Sequence, residues 1–244
     1  MTAKHQEPAP PDRLLVISAH PDDIEFVLAG TVAKWVRAGT QARYVVVTSG
    51  DAGTHRLDMD RETLGRIREA EQTAAAHAIG VDTVVYLRYP DGMVEPTLEL
   101  RRELVREIRR FKPHTVICYD PTRLFSGESY INHPDHRAVA QAALDAISPT
   151  AAMPLAFPEQ IAEGLEPHRV RQIMAAATGH PNTWIDISET LDLKLEALKK
   201  HDSQHDGRRD LQALIRGWAE AAGEAAGLQY AEAFRRITRP EGLA

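Results

Sequence analysis

Apolar residues along this chain fall into two patterns: short unbroken runs, and longer stretches spaced three and four residues apart. Leu14-Leu15-Val16-Ile17 is an unbroken run of the kind found in strands buried on both faces. From Ile24 the period changes. Ile24, Val27, Leu28, Val32, Trp35 and Val36 share one helical face, and Gly39 supplies a stop. The alternation then repeats. Strands are predicted at Tyr44–Val47, Val84–Leu87 and Thr115–Tyr119, with helices over 61–79 (closed by Gly80), 97–110 and 134–147, the last with Pro134 at its first position. The second half is less regular. Short strands are predicted near Pro154–Phe157, Gln172–Ala175 and Thr183–Ile187, followed by helices over 189–201 and 208–221.

Four successive strand–helix units imply an α/β fold with a mostly parallel sheet and right-handed crossovers. Residues 1–12 are polar and proline-rich and read as a flexible N-terminal tail, leaving 13–244 as a single α/β domain. At 244 residues that is enough to bury a full core. The net charge of −6 argues against a nucleic-acid partner, which a basic surface would serve. The lone cysteine, Cys118, excludes an intrachain disulfide framework and fits a reducing compartment. The N-terminus has no apolar core of a secretory signal, and no run reaches the roughly 20 apolar residues of a membrane span. The expectation is a cytoplasmic protein; a homo-oligomer is compatible with it.

In open α/β sheets ligands bind at the carboxyl ends of the strands, and two unusual clusters fall there. Ala19-His20-Pro21-Asp22-Asp23 lies between the first strand and the first helix. Asn132-His133-Pro134-Asp135-His136 follows the fourth strand and opens the next helix. His20 and Asp23 are i, i+3 across a turn, and His133 and His136 are i, i+3 at a helix start, so each pair can address one point. Two imidazoles and one carboxylate with open positions make a catalytic zinc site, and also the facial triad of iron(II) oxygenases. Asp22, facing elsewhere, is free to act as a base. A lone Asp22 or Asp23 would read as a helix cap worth about 1 kcal/mol. A cap, however, needs one short polar side chain, not three titratable groups in four positions.

These motifs, with Gly30, Arg68-x-x-Glu71 and Asp91-Gly92, resemble the PIG-L (LmbE-like) family of zinc-dependent de-N-acetylases. A looser likeness runs through Lys194, His201, Ser203 and Gln204. The resemblance implies a Rossmann-like three-layer fold with the active site at the C-terminal strand edge. It implies one Zn2+ on His20, Asp23 and His136. Asp22 would be the base acting on the metal-bound water, and His133 a protonated group stabilising the oxyanion, oriented by Asp135. Arg68 would bind substrate, a small N-acyl amino sugar or related conjugate, and the reaction would be hydrolysis of its amide.

Other readings compete. An iron(II) enzyme could use the same three ligands, but such enzymes are usually all-β. A nucleotide-binding module would need a glycine-rich first turn, whereas His20-Pro21-Asp22-Asp23 is bulky and anionic. A metal-binding but non-catalytic relative would not need every catalytic position filled, as it is here. Elsewhere, His77 and His114 read as surface or turn residues, and His55 as a contact at the catalytic edge. Arg101, Arg102, Arg106, Arg109 and Arg110, alternating with Glu103 and Glu107, read as a solvated helix face. Trp184, Trp218 and Phe234 read as core or interface residues.

Overall fold

The computed structural model describes residues 7–204 and 210–240. Positions 1–6 of the expected tail, 208–209 of the last expected helix and 241–244 of the expected domain lie outside them.

In chain order the elements are β1 (Arg13–Ser18), α1 (Asp23–Val27), α2 (Ala29–Arg37), β2 (Gln41–Thr48), α3 (Arg61–Ala78) and β3 (Thr83–Tyr89). Then come α4 (Leu98–Phe111), β4 (Thr115–Tyr119), the two-residue strands β5 (Phe125–Ser126) and β6 (Tyr130–Ile131), and α5 (Pro134–Ile147). The remainder is α6 (Pro158–Ala162), β7 (Gln172–Ala176), β8 (Thr183–Asp186), α7 (Leu191–Leu198), α8 (Leu211–Glu224) and β9 (Ala231–Thr238). Seven strands form one sheet in the order β3-β2-β1-β4-β7-β9-β8. All its pairings are parallel except those of β9, which runs antiparallel to both β7 and β8.

The unbroken apolar strands are explained by helices on both faces. In β1, Leu15 and Ile17 pack with Leu100, Leu104, Val139 and Ala143 of α4 and α5. Leu14 and Val16 turn the other way, to Val32 and Trp35 of α2, Ala75 and Ala76 of α3 and Ala197 of α7. Strand order reverses at β1, whose neighbours β2 and β4 lie on opposite sides, and that reversal opens a crevice at the carboxyl ends of β1 and β4. Both chemically unusual clusters begin there.

Three expectations are corrected. The helix predicted from Ile24 to Gly39 is two helices broken at Leu28 (φ −150°, ψ 2°). The break is stabilised because Glu232 of β9 accepts from the freed N–H groups of Gly30 and Thr31 and pairs with Lys194 at 2.6 Å. No strand forms at Pro154–Phe157. That irregular backbone instead gives the carbonyls of Met153, Ala156 and Phe157, with that of Ala151, to one guanidinium, Arg109. Arg109 is therefore fully buried, not part of a solvated face, and Glu107 is buried too. Strand β9 and the β5–β6 hairpin were not foreseen from the sequence. Glu7–Asp12 are tied to the domain: Lys34 donates to Glu7, Thr40 Oγ1 to the Pro11 carbonyl and the Gln41 N–H to that of Asp12. No helix among the described residues is long and apolar enough to cross a membrane.

Candidate active site

The β1–α1 turn is wound around Asp23. Its Oδ2 accepts from the backbone N–H of Ala19 (3.0 Å) and of His20 (2.8 Å), while Oδ1 stays on the open side, 2.9 Å from His136 Nε2. His20 turns its Nδ1 toward the same point, 3.3 Å from His136 Nε2. Ligand atoms of His20, Asp23 and His136 all lie within 4.8 Å of one another.

Each imidazole is held from behind. Asn132 Oδ1 lies 3.0 Å from His136 Nδ1, and the His136 ring stacks on Tyr119 (centroids 4.4 Å, 7° between planes). Asp135 Oδ2 and Asp91 Oδ1 each lie 3.1 Å from His20 Nε2. Carboxylate or amide oxygens on the far ring nitrogens aim His20 Nδ1 and His136 Nε2 at this point, and each would offer a lone pair to a cation once its own proton is given up, as in histidine metal sites generally. Burial opposes charge on His20, but hydrogen bonds to Asp135, Asp23 and Asp91 outweigh it and push its pKa up to about 12. Burial also raises Asp23, yet the charges and hydrogen bonds of His136 and His20 hold it well below the ordinary range. The donor set of two imidazole nitrogens and one carboxylate oxygen fits a divalent cation of the zinc or iron(II) kind.

Asp22 lines the same cavity but is not one of the three residues whose ligand atoms converge. It occupies the left-handed region at φ 90°, one of the few non-glycine residues to do so. Its carboxylate meets Arg68 Nη2 at 3.2 Å. Burial raises the Asp22 pKa to about 6, opposed chiefly by the Arg68 charge. Arg68 lines the cavity and donates to the carbonyls of Gly50 (2.9 Å) and Pro21 (2.7 Å) and to Asp22. Gly50, at φ 64°, is required here because a Cβ would collide with that guanidinium.

His133 is corrected most. The expectation was that Asp135 holds its ring and keeps it charged. Instead the Asp135 carboxylate is occupied by His20 and by the N–H groups of Gly92 (2.7 Å) and Val94 (3.2 Å). What Asp135 offers His133 is its backbone N–H, donated to Nδ1 at 3.2 Å, so that His133 is the N-cap of α5. Burial, and then the charge of His20, lower the His133 pKa below its ordinary value, the opposite of the expected direction. With Nδ1 accepting, the proton of the neutral ring resides on Nε2.

The cavity over these groups measures about 850 Å³, in the range of small-molecule sites. Its walls include Arg123, Tyr130, Phe26 and Trp218. Trp218 is not a core residue but half exposed, 6.4 Å from the Phe26 ring. Neither its role nor that of Tyr119, Asn132 or Asp91 was assigned from sequence. Asp91-Gly92 and Asn132, each inside a recognisable motif, carried a signal. His55 is exposed and does not line the cavity.

Two clusters, two strand ends and one crevice agree with what comparison finds: the PIG-L family, described as GlcNAc-PI de-N-acetylase, matches residues 15–147. The chain belongs to this family. It is a hydrolase of the deacetylase kind. Among its relatives, a diacetylchitobiose deacetylase of Thermococcus kodakarensis is 31% identical over 92% of this chain and 83% of its own length. A probable N-acetyl-alpha-D-glucosaminyl L-malate deacetylase of Bacillus anthracis is 29% identical over 78% of this chain and 80% of its own. The solved N,N'-diacetylchitobiose deacetylase of Pyrococcus horikoshii superposes with a TM-score of 0.86 at 30% identity, covering 93% of this chain and 84% of that one.

Proposed function

We propose that this PIG-L protein removes the acetyl group from an acetamido sugar or its conjugate, using one zinc ion held by His20, Asp23 and His136, and that it does so in the cytoplasm. The observation that carries the reading is the convergence of His20 Nδ1, Asp23 Oδ1 and His136 Nε2 on one point, each anchored from behind, with Asp22 one residue away. A zinc ion held by these three residues would polarise the amide carbonyl and bring a water pKa from 15.7 toward about 7.

The chain's own residues do the rest. Asp22, aimed by Arg68, takes a proton from the attacking water. His133, neutral with its hydrogen on Nε2, donates to the oxygen that becomes negative as the carbonyl carbon turns tetrahedral. A neutral donor keeps its proton, so Asp22 returns the one it took to the amine nitrogen as the C–N bond breaks. Water is consumed, and acetic acid and the free amine leave, to become acetate and an ammonium at neutral pH. The aromatic walls, Phe26, Tyr130 and Trp218, suit the apolar faces of sugar rings.

The test is an assay of primary amine released from N-acetylglucosamine, its β-1,4-linked dimer and N-acetylglucosaminyl conjugates, with zinc supplied. Asp22→Asn is expected to keep the metal and lose about 10²–10⁴ in turnover, the worth of a general base. Metal-loaded protein that releases no amine from any of these compounds overturns the proposal.

A further inference from the structure

Behind the β1–α1 turn, α3 presents two buried polar side chains one helical turn apart, Arg68 and Gln72. Both grip a single peptide unit, the one joining Pro21 to Asp22. Its carbonyl accepts from Arg68 Nη2 at 2.7 Å, and its N–H donates to Gln72 Oε1 at 2.9 Å. This is the peptide that leads into the left-handed φ of Asp22, a conformation that persists only where its surroundings over-determine it.

Gln72 is itself directed. Its Nε2 donates to Glu25 Oε1 at 3.1 Å, and Glu25 Oε2 faces His201 Nε2 at 3.2 Å. All three side chains are fully buried, and none lines the cavity. A carboxylate can only accept, so Glu25 takes the amide NH2 and leaves the amide oxygen to face Asp22. A flipped amide would set an NH2 against the Asp22 N–H.

We propose that Gln72, aimed by Glu25 and His201, is a positioning residue for Asp22: the chain His201–Glu25–Gln72 fixes the Pro21–Asp22 peptide and thereby the direction of the carboxylate. The inference rests on reading Asp22 as the base, and it assigns a purpose to His201, 181 positions along the chain from His20 but outside both metal-ligand clusters.

Amide hydrogen exchange at Asp22 tests the clamp without reference to activity. In Gln72→Met, which keeps the volume but not the acceptor, exchange at Asp22 is expected to rise at least about 10-fold while Ile17 and Val45 stay protected. Metal content and KM should hold, and kcat should fall about 10- to 100-fold, as for a misdirected catalytic group. The exchange Glu25→Gln with Gln72→Glu restores an acceptor toward Asp22 and a donor behind it, and should regain protection and part of kcat. It also serves if Gln72→Met fails to fold. Unchanged exchange at Asp22 in a folded Gln72→Met variant overturns the inference. So does lost protection with unchanged kcat, or a folded double variant that regains nothing. A wild-type chain that releases no amine from any N-acetyl sugar overturns the deacetylase reading alone, and exchange at Asp22 still decides the clamp.

Discussion

Asp135 and His133 are two residues apart and face different partners, which makes their roles separable. Asp135 is fully buried, and its carboxylate reaches His20 Nε2, so under the proposed function it would support the metal through His20. Asp135→Ala is expected to weaken zinc affinity about 10- to 100-fold, the usual effect of losing such a support. Calorimetric titration of metal into the variant checks this; unchanged affinity would mean that Asp91 alone orients His20. His133→Ala should leave zinc affinity intact and reduce turnover about 10²–10³-fold, the cost of one oxyanion donor. His133→Gln keeps an N–H donor on a flexible stem and should recover part of that loss. Equal rates for the two variants would show that more than a hydrogen-bond donor is required there.

Among elements, the break between α1 and α2 depends on a residue some two hundred positions away. Glu232 accepts the N–H groups that open α2 and carries the buried Lys194 ammonium, both side chains being under 5% exposed. Removing one partner of a buried ion pair costs about 3–5 kcal/mol because the other charge is left uncompensated. Glu232→Ala should show that loss in denaturant unfolding. Lys194→Met should lose less, since Glu232 keeps two backbone donors at a helix N-terminus, where negative charge is favoured. The reverse order would place the stabilisation in the ion pair and not in the cap. Arg109 works similarly between α4 and α6: one guanidinium gathers four carbonyls, so the backbone there has no need of a ladder.

At the scale of the whole molecule, the site lies at the sheet edge while two cores fill the faces behind it. Both cores are built of apolar side chains. Chelation should therefore abolish amine release while leaving the circular dichroism spectrum unchanged, and returning zinc should restore activity and raise the melting temperature by preferential binding to the folded state. Loss of secondary structure on chelation would instead make the metal a structural element.

Local order was legible wherever a short-range rule acts. The runs at Leu14–Ile17 and Thr115–Tyr119 meet helices on both faces, so their apolar continuity named them as strands of a parallel sheet. The i, i+3 spacing of His20 with Asp23 and of His133 with His136 located the two halves of the site, since adjacency in a turn brings such pairs to one side. Strand β9 was missed because its partners, β7 and β8, supply the reason for its course, and its mixed sequence carries no comparable run. The partner of His133 lay beyond reach for the same reason: nearness in sequence proposed the Asp135 carboxylate, but the helix start turns that carboxylate toward His20 and gives His133 the backbone N–H of Asp135. Residues close in sequence fix which groups are present at the crevice. Which of them touch, and so which proton sits where, is decided by side chains from α3, β4 and the Asp91 turn, brought together only when the sheet closes its order around β1.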